Sequence, residues 1–247
     1  MHPIIPIVKA AIKRGQSQVC LDSAEREQVR RKNISVKVCG MRDAENIREV
    51  EALGIDLMGF IFWLKSSRYV SERPAYMPQT AKRVGVFVNE DIKQVKRIAE
   101  EYSLDVIQLH GSESPDYIRQ LGSVCGDTIA TVKAFNIATK EDLEATKPYE
   151  GIVDYYLFDT RATVPAGSPA GSVLPGGTGA QFDWSLLADY VGQTPFLLSG
   201  GIGPDDAERV CAFSHPKCIG IDLNSRFEIS PGLKDVEKLK KFLMFNV

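Results

Sequence analysis

The stretch VKVCGMRD, residues 36–43, sets a cysteine at the end of a short apolar run, with a lysine two positions before it and a glycine after it. Side chains along a strand alternate between faces, so Lys37 and Cys39 share one face while Val36 and Val38 share the other. A free thiol has a pKa near 8.5, so only a few per cent is thiolate at neutral pH. A neighbouring ammonium lowers that value, one unit for each ~1.4 kcal/mol of interaction. On position alone Cys39 is either a base or nucleophile, or a small apolar filler of the kind most free cysteines are. Other polar residues stand at the ends of similar runs: Gln108 and His110 in IQLHG, Asp159 in LFDT, Gly200 and Gly201 in LSGG, and Asp222, Asn224 and Ser225 in GIDLNS.

The elements that must carry these residues recur along the chain. Apolar runs occupy 34–39, 55–62, 83–89, 104–110, 128–135, 153–160, 194–201 and 218–224. Between them lie segments such as DAENIREVEALG, DIKQVKRIAEEYS, SPDYIRQLGS and GPDDAERVCAF, each opening with a capping residue or an N1 proline and carrying apolar residues at helical spacing. This alternation predicts βαβ units and a parallel sheet. Eight such units in about 215 residues predict an α/β fold, a single (β/α)8 TIM barrel over 33–247 with no second domain. A doubly wound open sheet is the rival, but no G-x-G-x-x-G follows the first run. In a barrel the C-terminal strand ends form the face that holds active sites, and the polar residues named above collect there. The first and last strands of a closed barrel are neighbours, so Lys37 and Asp222 can pair in its interior; the alternative is a solvent-facing lysine.

Composition narrows the partners. The chain has 247 residues, 30 basic and 32 acidic, and a formal charge of −2. It therefore has no field to attract nucleic acid or an anionic membrane, and any anion it binds needs a local site. Five scattered cysteines without a C-x-x-C pair argue against a disulfide framework and a zinc site. A reducing, cytoplasmic setting follows. Residues 1–32 begin apolar and turn basic, the reverse of a signal peptide. They are expected to form a peripheral or disordered extension.

KVCGMRD, GFIFWLKSSRYV, VGVFVNE, IQLHG, LFDT, GGTGAQFDW, LSGGI and GIDLNSRFEISPGLKD resemble, in order, the phosphoribosylanthranilate isomerases of tryptophan biosynthesis. The resemblance runs from about Ile34 to Phe242. It implies a (β/α)8 barrel that converts N-(5-phosphoribosyl)anthranilate to its 1-deoxyribulose isomer by an Amadori rearrangement, with no metal or organic cofactor. It assigns the general acid to Asp159 and the general base to Cys39, each role worth about 10²–10⁴ in rate. A carboxyl that donates a proton near neutrality must be held above the ordinary carboxylate range, which burial achieves. The alternative for Asp159 is a helix cap or a surface aspartate. The resemblance also gives Arg68 to the anthranilate carboxylate, which a guanidinium fork suits; otherwise Arg68 is an exposed loop arginine.

Phosphate is expected at Gly200 and Gly201, whose bare backbone admits an anion, with Asn224 and Ser225 opposite. Lys37, Gln108, His110 and Asp222 are expected to line the substrate site. The chain departs from the family at Asn224-Ser225-Arg226, where serine is usually followed by glycine. Arg226 either obstructs that backbone approach or adds charge to it. The loop 160–182, rich in proline and glycine, is expected to be a lid over the site, or else a passive insertion. The expected partner is a small phosphosugar, with no nucleic acid or membrane, for a monomer or homodimer. Two other readings stand beside this one. One is another phosphosugar barrel, such as an indole-glycerol-phosphate synthase, which employs lysine and glutamate at strand ends, or the aminoaldose isomerase of histidine biosynthesis. The other is a phosphate-binding barrel without catalysis.

Overall fold

Every apolar run gives a strand, at least one end of which differs from that of the run by one or more residues. The structure, a computed structural model, describes residues 34–126, 128–160 and 183–245. The strands are β1 (Ser35–Cys39), β2 (Leu57–Ile61), β3 (Lys82–Phe87), β4 (Val106–Leu109), β5 (Ala130–Ile137), β6 (Tyr155–Thr160), β7 (Phe196–Leu198) and β8 (Cys218–Leu223). They pair in parallel in chain order, and β8 closes on β1 with Lys37 opposite Asp222. The expected barrel is therefore present.

Period-two alternation divides its core. Val84, Val106, Val132, Tyr155, Leu157 and Leu197 plug the lumen. Val36, Val38, Phe60, Phe87 and Phe158 face the helices in a larger cluster. Each such side chain contributes about 1.5–3 kcal/mol on burial.

The helices are α1 (Ala44–Glu51), α2 (Ile92–Tyr102), α3 (Pro115–Cys125), α4 (Glu141–Glu144), α5 (Ala207–Ala212) and α6 (Val236–Leu243). Asp43, Asp91, Ser114 and Asp235 cap four of them by accepting from backbone N–H groups of the first turn. Caps of this kind satisfy donors that the helix itself leaves open.

Among the described residues the structure departs from eight regular repeats between β2 and β3 and again after β8. Residues 62–81, between β2 and β3, contain no helix; Pro74 and Pro78, one helical turn apart, remove donors and block the preceding carbonyls. After β8 the chain also makes an unanticipated hairpin, β9 (Glu228–Ser230) against β10 (Leu233–Lys234), turning at Gly232 with φ 86°. The 1–32 extension and the 161–182 part of the expected lid lie outside the described residues.

Candidate active site

Cys39 is the last residue of β1 and Asp159 the last but one of β6. Both are buried, at 3% and 7% exposure. Room for the sulfur comes from the neighbouring strand, where Gly59 pairs with Cys39. A Cβ on Gly59 would stand 2.6 Å from Cys39 Sγ and 3.1 Å from its Cα. A glycine is thus required there for the thiol to occupy its position.

Below the thiol, Lys37 Nζ donates to Asp222 Oδ1 at 2.7 Å, with both side chains almost sealed from water. Ser199 Oγ donates to the other Asp222 oxygen at 3.2 Å. The interior pairing read from strand alternation is therefore present. Its electrostatic consequence differs from expectation. Burial pushes the Cys39 thiol up, and although Lys37 and Lys234 oppose it, the net direction is upward. Lys37 does pull the thiol down, but burial, with Asp222 adding to it, outweighs that pull; burial disfavours charge on Lys37 too, but Asp222 and Cys39 raise it overall.

A second charge cluster adjoins the same strand end. Arg68 Nε donates to both oxygens of Glu228, at 2.8 and 3.0 Å, and Nη2 to Oε2 at 2.7 Å. Lys234 Nζ donates to Glu228 Oε1 at 2.6 Å and to Asn224 Oδ1 at 2.7 Å. Burial raises the Glu228 carboxyl, but the two cations hold it below its ordinary value. The backbone of Lys234 is clamped to α1, since Asn46 Nδ2 donates to its carbonyl at 2.9 Å and its N–H donates to Asn46 Oδ1 at 2.7 Å. Gly40, at φ 79°, is the floor of this cluster: a Cβ there would lie 2.7 Å from Arg68 Cδ, 2.9 Å from Asn224 Oδ1 and 3.5 Å from Lys234 Nζ.

Sequence reasoning assigned no role to Glu228, Lys234 or Asn46. The first two lie in the quoted FEISPGLKD, and their signal was the charge pair flanking an S-P-G turn. Of the residues expected at the phosphate, Asn224 accepts from Lys234 through its carboxamide oxygen.

On the far side, Gln108 is buried and its Nε2 lies 3.3 Å from His110 Nδ1. If Gln108 donates there, the neutral imidazole carries its proton on Nε2. That nitrogen is 3.5 Å from Asp159 Oδ2, longer than a hydrogen bond, and has no hydrogen-bond partner among the described residues. His110 is held by the loop after it. Glu113 accepts from the N–H groups of Asn89 and Gly111 at 2.8 and 3.0 Å, and Lys133 Nζ lies 3.3 Å from it. Lys133 alternates with lumen-facing Val132 and Ala134, so it lies on the helix side of the sheet.

The loops after β7 and β8 adjoin one another. Gly200 and Gly201 follow β7 with φ of 91° and 68°, a region that favours glycine. A Cβ on Gly203 would stand 3.6 Å from Arg226 Cβ, so the stem of Arg226 lies against the β7 loop. Among described residues the non-glycine positive-φ positions are Asn89 and Ser103, so Arg226 carries no left-handed strain. Ser225 opens the short turn Ser225–Phe227.

Comparison with known proteins gives one answer. Residues 36–244 match the family model for N-(5'phosphoribosyl)anthranilate (PRA) isomerase. An N-(5'-phosphoribosyl)anthranilate isomerase of Parabacteroides distasonis is 50% identical over 214 residues, covering 84% of this chain and 91% of that protein. One from Phocaeicola vulgatus is 45% identical, covering 84% and 95%. Among solved structures, the Thermotoga maritima phosphoribosyl anthranilate isomerase superposes with a TM-score of 0.69 at 30% identity, covering 85% of this chain and 97% of that one. A phosphoribosyl anthranilate isomerase in complex with reduced 1-(o-carboxyphenylamino)-1-deoxyribulose 5-phosphate gives 0.67 at 28% identity, covering 85% and 96%.

Proposed function

Because the chain belongs to the N-(5'-phosphoribosyl)anthranilate isomerase family, we propose that Asp159 and Cys39 are the acid and base of its reaction. The enzyme is an aldose–ketose isomerase of tryptophan biosynthesis. It opens the ribose ring of N-(5'-phosphoribosyl)anthranilate and moves hydrogen from C2, giving 1-(2-carboxyphenylamino)-1-deoxyribulose 5-phosphate. Asp159 gives a proton to the ring oxygen as the C1–O bond breaks. Cys39, as thiolate, removes the C2 proton, and its electron pair becomes the enamine double bond. Enamine tautomerisation then yields the ketose. The observation that supports this reading is that β1 and β6 present both groups on the lumen side at one mouth, each buried. His110 Nε2 beside Asp159 is set to tighten its contact once water leaves, as loose catalytic hydrogen bonds do on ligand binding.

Glu228 occupies the Nε–Nη2 edge of Arg68, which leaves Nη1 for the anthranilate carboxylate. Gly200, Gly201 and the backbone at Ser225 hold the phosphate, with Arg226 adding charge at its rim. Lys37 and Asp222 lie beneath the substrate and shape its floor. An indole-closing synthase would want a lysine and a glutamate facing substrate. Lys133 and Glu113 bond instead to each other, and Lys133 also donates to the Gly111 carbonyl at 2.8 Å. The test is turnover by Cys39→Ser and Asp159→Asn, followed through anthranilate fluorescence. Each is expected to lose about 10²–10⁴ in kcat with an unchanged far-UV spectrum; parental rates in either would reject the assignment.

A further inference from the structure

We infer that Lys234 is a positioning residue for proton abstraction: its ammonium, locked beside Gly40 by Glu228 and Asn224, is a charge that, with Lys37, favours the thiolate of Cys39. This rests on Cys39 being the base. The candidate charges around the sulfur are Lys37 on β1, Asp222 on β8, Arg68 after β2, Glu228 on β9 and Lys234 on β10. They sort into two groups. Lys37 and Asp222 form a neutral pair at 2.7 Å. Arg68 and Lys234 share the single carboxylate of Glu228, so that group is one positive charge in excess.

A thiolate at Cys39 would balance that excess, and the C2 proton it receives would restore the resting charge. Of the two cations, Arg68 spends a bidentate edge on Glu228, whereas Lys234 Nζ lies against Gly40, the residue next to Cys39. The site is built for this. The Lys234 side chain has no exposure, its Nζ has two oxygen partners, and both its backbone polar groups are held by Asn46.

The experiment is the pH dependence of Cys39 alkylation by iodoacetamide, resolved from the other cysteines by peptide mass spectrometry, beside the pH profile of kcat. Lys234→Gln keeps a donor for Glu228 and Asn224 without the charge, and Lys234→Met repeats the loss in apolar form. In both, the alkylation curve is expected to move to higher pH by about one unit, so the rate at a fixed pH falls about tenfold. The kcat profile should follow it, with KM within about twofold, and Lys234→Arg should recover most of the loss. A folded Lys234→Gln or Lys234→Met protein with the parental alkylation curve overturns the inference, as does a lower kcat without a shifted curve. Cys39→Ser separates the two failures. If it loses turnover while the Lys234 variants keep the parental curve, only the role of Lys234 falls; if it keeps parental turnover, the base assignment falls.

Discussion

Replacing Gly59 by alanine adds one methyl group at the place where the sulfur of Cys39 sits. Its carbon would lie 2.6 Å from Sγ against an ordinary contact of 3.4 Å, so the thiol has to retreat by about 0.8 Å. The same methyl stands 3.1 Å from Cys39 Cα, so the end of β1 must also yield by a few tenths of an ångström. Misplacing a reacting group by about 1 Å can cost 10²-fold. The expected effect is therefore a fall in kcat of about ten- to a hundredfold. KM should change little, because the carboxylate and phosphate contacts lie elsewhere. Overpacking should also remove about 1–3 kcal/mol of stability. Gly85→Ala is the control. Its methyl would collide with Leu104 and Phe87 on the helix side of the sheet, giving a comparable loss of stability without loss of kcat. Steady-state kinetics and urea unfolding on the two variants decide the matter. A Gly59→Ala enzyme with parental kcat, or a Gly85→Ala enzyme equally impaired, would refute the link between this glycine and the position of the thiol.

Two further outcomes are expected. Burial raises the Glu51 carboxyl, but hydrogen bonds from Tyr76, Gln79, Thr80 and Ala81 outweigh it and bring its pKa to about 2. A depressed carboxyl stabilises the fold above its unfolded value of 4.5, and that contribution is lost as pH falls from there towards 2. Allowing for water at its rim, it should be about 2 kcal/mol, and unfolding of Glu51→Gln should be correspondingly less pH-dependent over that window than the parent's. Lys37→Met should cost about 3–5 kcal/mol because it strands Asp222 as a buried charge, and the double variant Lys37→Met/Asp222→Leu should recover much of that; calorimetry would read both.

The barrel was legible because its signals are local. Alternation along ISVKVC and GIDLN put Lys37 and Asp222 on the inner face, and chain closure then made them neighbours. Capping residues announced α1, α2 and α3 in the same way. What could not be read depends on distant residues meeting. The sign of the shift on Cys39 turned on burial outweighing the pull of Lys37, a balance that strand pattern does not convey. The cluster of Arg68, Glu228 and Lys234 joins a loop after β2 to a hairpin after β8, and only the fold brings them together. The missing helix between β2 and β3 was readable from Pro74 and Pro78 but was masked by the regularity of the other units.

Several bonds at the mouth are stitched between the two extremes of the polypeptide: Lys37 to Asp222, Asn46 to Lys234, and Arg68 to Glu228, separated by 185, 188 and 160 positions. Such links form only when the circle of strands is complete, after the chain has met most of its loop-closure entropy. Turnover should thus be among the last properties regained on refolding. Two fragments cut between β4 and β5 would each carry part of the chemistry and neither the whole, so their recombination would restore catalysis all at once.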